Sequence, residues 1–276
     1  MNRGFRIRIL KDKIFTIIIC FFSILVCIPL VLILFYLLKN GINAISPEFF
    51  YKLPAAPGVS GGGILNALTG TIYLIGLSLL LSVPIGIFSG IFLYEFHSFK
   101  RIWFIQSLIE IMQSIPSIVI GIIAYTWIVL PLGKFSAFSG AVALSLMMLP
   151  MMIKSTEETL KMVPKEIKEA AIALGAPYYK VILRIILPAA SSGIINGLIL
   201  SISRIAGETA PLLFTAFGNP YVNWNPLKPV HSLPLLIFNY ATSPYEEWHT
   251  IAWGASLVLI LFVLLLNLIA RRFSRV

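Results

Sequence analysis

An all-α membrane protein with six spanning helices is the fold class that the sequence predicts, and three observations predict it. Charge is scarce, with 12% of the 276 residues charged against 58% hydrophobic and a mean hydropathy of +0.94. A soluble domain carries about 25% charged residues. The apolar residues gather into runs long enough to cross a bilayer, where the backbone must satisfy its own hydrogen bonds and so becomes helical. The net charge of +10 lies at the ends of those runs, a distribution that reports topology and not a nucleic-acid footprint.

The spans are expected at roughly 14–38, 69–94, 103–131, 138–153, 185–216 and 250–270. The first follows the basic stretch MNRGFRIRILKDK and is too long, with the wrong flanks, for a signal peptide, so it reads as an uncleaved transmembrane helix. Both cysteines, Cys20 and Cys27, lie within it, and no disulfide framework or Cys/His metal spacing exists. In the third run, Gln106, Glu110, Gln113 and Ser117 form one helical stripe ahead of or beside Pro116, which predicts a piece lying partly in the interface before the chain turns inward. The fourth run is short.

With the N-terminus inside, sixteen Lys and Arg residues fall on cytoplasmic segments, among them Lys100, Arg101, Arg271, Arg272 and Arg275. Four fall outside, at Lys39, Lys52, Lys134 and Lys228. Both termini are therefore expected in the cytoplasm. The outside segments 39–68 and 217–249 are rich in Pro and Gly and read as turn and coil, with Trp224 and Trp248 as interfacial anchors. The glycine run GVSGGG lacks the Lys-Ser/Thr of a phosphate-cradling loop, so this chain does not bind ATP in that manner.

The cytoplasmic segment 154–184, KSTEETLKMVPKEIKEAAIALGAPYYKVILR, carries the clearest local grammar. Ser155 and Glu158 are spaced as a capping box. Pro164 opens a helix rich in strong helix formers, Gly175 stops it, and Pro177 starts the next. A short helix, a glycine turn and a second helix form a compact knob. Pattern alone is equally compatible with an amphipathic helix lying on the membrane.

The residues Glu169-Ala170-Ala171, then Gly175, then Ile185 and Leu187-Pro188 resemble the EAA motif of ABC-importer permeases. GGILNALTGT at 62–71, IPSIVIGI at 115–122, SRIAGETAPLLFTAFGN at 203–219 and LPLLIFNYATSPYEEWHTIAW at 233–253 are similar to phosphate-import permeases of the PstA type. The N-terminal helix is only generically similar. The resemblance implies a type I ABC importer permease (MetI-like) fold in a bacterial or archaeal plasma membrane. It divides the chain into 1–68, the first helix and outside loop, and 69–276, the permease domain with its coupling loop 154–184. It implies that Glu169, Ala170, Ala171 and Gly175 couple to a cytoplasmic ATPase dimer, which binds the ATP and Mg, while this chain needs no cofactor. The further partners implied are a second phosphate permease subunit and an extracytoplasmic phosphate-binding protein.

Arg204 and Glu208 stand inside an apolar run, where charge is costly and marks pathways. Gly193, Gly197, Ser201, Arg204 and Glu208 share one face of an ideal helix, so the charges are expected to point into the bundle or toward a partner helix. Arg suits an oxyanion. Glu208 either offsets a trap that would be too deep for release or accepts a hydrogen bond from protonated phosphate. The competing expectation is an Arg204–Glu208 salt bridge that only fixes packing. Glu110 reads as an interfacial polar face, Asn66 and Thr71 as helix-end residues, and His97, His231 and His249 as solvated loop histidines. Glu246 and Glu247 read as a solvated loop end, and Met147, Met148, Met151 and Met152 as packing. Phosphate import is the expected function. Sulfate or molybdate import is the nearest alternative, and an ion-coupled secondary transporter would require internal repeats, which the sequence lacks. A membrane-embedded enzyme would require a metal or nucleophile cluster, and none is apparent.

Overall fold

Six apolar runs become helices, but two of them are broken. The computed structural model describes residues 3–59, 61–97 and 99–273, so Arg275 of the C-terminal basic cluster lies outside the described residues. In chain order the helices are α1 (Arg3–Ala44), α2 (Pro47–Tyr51), α3 (Leu65–Glu95), α4 (Lys100–Ser114), α5 (Ser117–Leu132) and α6 (Ala137–Met162). There follow α7 (Lys165–Ala173), α8 (Tyr178–Ala189), α9 (Ser191–Ile205), α10 (Ala210–Leu213), α11 (Leu233–Ala241) and α12 (Glu246–Phe273). Among the described residues there is no strand, only the isolated bridges Pro54–Gly62 and Phe217–Val230. Four helices are long and apolar enough to cross a membrane, or six if the bent pairs α4–α5 and α8–α9 each make one span.

The centre of the bundle is the parallel pair α3 and α6. Lipid tails offer side chains the same apolar surroundings that a neighbouring helix does, so helices associate through close backbone approach and polar contacts. The sequence supplies both. A Cβ on Gly86 would stand 2.6 Å from the Met152 Cβ, and one on Gly90 would stand 2.5 Å from the Thr156 Cβ. Between them, the buried Ser82 hydroxyl donates to Met148 Sδ at 3.5 Å. Leu74, Leu144, Met148 and Leu212 complete the apolar centre. Met147 and Met152 are buried too, so the methionines of this stretch pack as expected, except that Met151 turns toward Arg204.

The breaks have sequence causes. Between α4 and α5 the chain turns by 101°, where Ile115 is extended ahead of Pro116, as the residue before a proline prefers. The fifth run is no single helix. A π-helical turn at Ile182–Ile186 precedes Pro188, α8 and α9 meet at 65°, and α9 stops at Ile205. The fourth run is longer than expected. TEETLKM continues α6 to Met162, and the helix ends where Val163 is extended before Pro164. The Ser155–Glu158 capping box is therefore not formed; both lie inside a helix whose own backbone satisfies the groups a cap would serve.

At the end of the bundle opposite α7, segment 217–232 is packed where open coil was expected. Asn219 and Asn223 both donate to the Pro229 carbonyl, at 3.2 and 3.1 Å. Val230, His231 and Ser232 are buried. The helix α1 meets the rest of the chain at its C-terminal end, where Gly41 lies against Leu257 and the Trp253 carbonyl of α12, and most of its apolar length is exposed.

Candidate functional site: the knob and the polar lane

The knob around α7 is built by one glycine. Gly175 has φ +80°. Its N–H donates to the Ile172 carbonyl at 2.9 Å and the Ala176 N–H to the Ala171 carbonyl at 3.2 Å. This bond pair is the Schellman arrangement that closes a helix on a left-handed residue. Ala171 is buried with Val163, Val181, Ile182 and Ile186, whereas Glu169 and Ala170 are exposed. Met162 is 82% exposed and Leu174 89%. Large apolar side chains presented this way mark an interaction surface, for a partner protein or for a membrane.

The second site is a lane of polar side chains where α4, α5, α6 and α9 meet. The stripe read from the sequence stays on one side through the bend. Gln106 donates to Glu157 Oε1 at 2.7 Å, and Lys154 Nζ lies 2.7 Å from Glu110 Oε1. Gln113 lines a groove of about 510 Å³ with Glu110, Lys154, Ser155, Glu158 and Met151. The Ser117 hydroxyl stands beside the Glu208 carboxylate. Glu110 thus has a cationic partner on α6, where a free interfacial face was expected. The sequence does not show this pair, because Lys154 reads there as the start of a loop and lies instead inside α6.

Small residues bring α9 close against α6 beside the lane, as expected from their spacing. Gly193 faces Thr159, and a Cβ on Gly197 would fall 1.8 Å from the Ser155 hydroxyl. Arg204 and Glu208 depart from the expectation. With α9 ending at Ile205, helical spacing does not extend to Glu208, and the intrahelical salt bridge is absent. The ion pairs among the described residues are Glu48–Lys52, Glu110–Lys154, Glu157–Lys161 and Glu95–Lys168. The Arg204 side chain is exposed on this bundle, and its Nη1 lies 3.7 Å from Met151 Sδ. Glu208 is half-buried. Both border the lane, and Glu208 lies within electrostatic reach of Arg204, but no ion pair holds Arg204 among the described residues.

Of the weaker candidates, Asn66 and Thr71 are more than helix ends. Asn66 donates to the Asn219 carbonyl at 2.7 Å, and Thr71 Oγ1 accepts from the Leu233 N–H at 2.8 Å. His231 is no solvated histidine. It is 8% exposed, its Nδ1 accepts from the Ser232 N–H, and its carbonyl leaves Gly70 no room for a side chain. Burial pushes its pKa down to about 4. A depressed folded pKa means the unfolded chain takes up the proton first, so stability is full above about pH 6.5 and is lost as pH falls toward 4. The loss approaches about 3 kcal/mol. Thermal melting in detergent should therefore fall between pH 7 and 4.5, and His231→Gln should flatten that dependence. An unchanged slope in the variant would show that His231 is not the group responsible. His97, His249 and the carboxylates form no metal-ligand cluster among the described residues.

A membrane bundle with an exposed knob and a polar lane is the arrangement expected of a transport permease, and comparison with known proteins identifies the class. Residues 82–276 match the family described as Binding-protein-dependent transport system inner membrane component, and the chain belongs to that family. It is 41% identical over 242 residues to the Phosphate transport system permease protein PstA of Haemophilus influenzae, covering 87% of this chain and 86% of that one. It is 38% identical over 259 residues to the Probable phosphate transport system permease protein PstA of Methanocaldococcus jannaschii, covering 94% and 92%. Among solved structures, a bacterial ABC transporter involved in alginate import superposes with a TM-score of 0.64 at 16% identity, covering 99% of both chains. The inward-facing MetNI methionine ABC transporter gives 0.61 at 19%, covering 77% of this chain and 93% of that one. These establish the type I importer permease fold.

Proposed function

We propose that this chain is a permease subunit of an ATP-driven importer that moves inorganic phosphate into the cytoplasm across a bacterial or archaeal plasma membrane. The observation that carries the reading is Arg204, an arginine on a membrane helix that makes no ion pair among the described residues. It stands in a permease whose relatives carry phosphate permease names. Both termini and the knob face the cytoplasm in this reading, in line with the distribution of Lys and Arg. A second permease subunit closes the lane from the other side, and an extracytoplasmic phosphate-binding protein delivers the anion at the opposite end. An ATPase dimer, which holds ATP and Mg, docks on Glu169, Ala170 and the turn at Gly175, while Ala171, expected on the same surface, is buried and seats α7 on the bundle. This chain makes and breaks no covalent bond.

Uptake of labelled phosphate into proteoliposomes holding the full transporter tests the assignment. Uptake should require ATP and the ATPase, and a hundredfold excess of sulfate should leave it unchanged. Strong competition by sulfate would replace phosphate by a broader oxyanion specificity. Uptake without the ATPase would replace the importer by an ion-coupled carrier.

A further inference from the structure

The knob is fastened to the bundle at a point that the docking motif does not include. Lys168, on α7 next to Glu169, reaches back to the last residue of α3. Its Nζ lies 2.9 Å from both carboxylate oxygens of Glu95 and donates to the Tyr178 hydroxyl at 2.9 Å. The Tyr94 and Tyr178 rings flank the ammonium at 5.3 and 5.0 Å. The two charged side chains are only 22% and 13% exposed, so water competes weakly for the pair. A bifurcated ion pair between two rings fixes α7 against α3 in direction as well as distance.

Besides the short Val163–Pro164 joint to α6, two connections lead out of the knob, and they differ in stiffness. Along the chain, α7 leads through the Gly175 turn, the π-helical turn at Ile182–Ile186 and the 65° bend before α9, features that absorb motion. Through Lys168 it leads directly onto α3, an unbroken helix of 31 residues, about 46 Å long. Gly86 and Gly90 seat α3 against α6 with almost no clearance at this same end. At the far end, Asn66, Gly70 and Thr71 grip the packed segment 217–233. One continuous helix, with Pro84 inside it, thus joins the knob to the opposite face of the bundle.

We infer that Lys168 and Glu95 form a strut that transmits movement of the docked knob to α3 and, through α3, to the substrate-receiving face. Lys168 is a positioning residue here and touches neither phosphate nor nucleotide. The inference rests on the knob being the ATPase dock, and the test separates the two. In the full transporter, Ala173→Cys on α7 should cross-link to the ATPase; failure of that cross-link removes the dock itself. With the cross-link present, Lys168→Met and Glu95→Gln should each keep ATP hydrolysis while lowering phosphate transported per ATP about tenfold or more. Nucleotide should also stop altering the labelling of Phe217→Cys at the far end, a readout that a merely stabilising pair would not move. The exchanged pair Lys168→Glu with Glu95→Lys should restore both. Should Lys168→Met fail to assemble, Glu95→Gln decides alone, because Glu95 lies outside the knob. A native transport-to-hydrolysis ratio in Glu95→Gln overturns the strut and leaves the dock standing.

Discussion

Arg204→Ala is expected to reduce phosphate uptake by about a hundredfold or more without dismantling the transporter. Two charge-assisted hydrogen bonds from a guanidinium to an oxyanion contribute about 1.5–3 kcal/mol each, and every 1.4 kcal/mol is a factor of ten. The folded bundle loses little in exchange. Arg204 is exposed, breaks no ion pair when truncated, and touches Met151 at 3.7 Å. Arg204→Lys should keep the charge and lose the planar fork, giving partial uptake. Labelled phosphate uptake, together with co-purification of the ATPase, checks the series. Uptake equal to native in Arg204→Ala would reduce the residue to a packing element.

The same assay addresses Glu208. No ion pair joins it to Arg204, although Arg204 lies within electrostatic reach, and Ser117 is beside it in the lane. If Glu208→Gln alters neither turnover nor the preference for phosphate over sulfate, neither of its two proposed roles stands.

How much of this was legible in the sequence depends on the range of the interaction. The knob was legible because its determinants are local. Pro164 and Pro177 restrict their own dihedrals and a neighbour's, Gly175 permits the left-handed turn that other residues avoid, and the structure puts the helix and turn where they predict. The small-residue face of α9 was legible for the same reason, since Gly193 and Gly197 do meet α6. Arg204 and Glu208 were misjudged together because a helical wheel assumes an unbroken helix, and Gly207 and Pro211 interrupt this one. The Ser155–Glu158 cap failed through competition: a local signal is ignored when strong helix formers on both sides continue the helix through it. Lys168–Glu95 is separated by 73 residues, Asn66–Asn219 by 153. No periodicity announces such pairs. His231 has the same lesson in burial: a histidine in a proline-rich loop reads as solvated until the loop is seen to pack on α3.

Gly175→Val is the sharpest test of the knob, because the space around the residue is empty. A Cβ at Gly175 would meet no atom of this chain within 4 Å, so no clash inside the bundle contributes to the outcome. What remains is the backbone at φ +80°, a region that costs L residues about 1–2 kcal/mol and is a genuine outlier for a β-branched one. Valine relieves that strain by leaving the left-handed region, and doing so breaks the bonds from Gly175 to Ile172 and from Ala176 to Ala171. The carbonyls at the end of α7 are then orphaned and Glu169, Ala170 and Leu174 are presented in a different direction. The expected result is ATP hydrolysis without matching transport, with phosphate moved per ATP down about tenfold or more. Gly175→Asn, which tolerates this region, should stay close to native, and Gly175→Ala should fall between. That order distinguishes a conformational requirement from a loss of surface, since all three substitutions add atoms to the same open space. A native ratio in Gly175→Val would mean that the turn's geometry is not what the ATPase reads, and coupling would have to be assigned to other contacts of the knob.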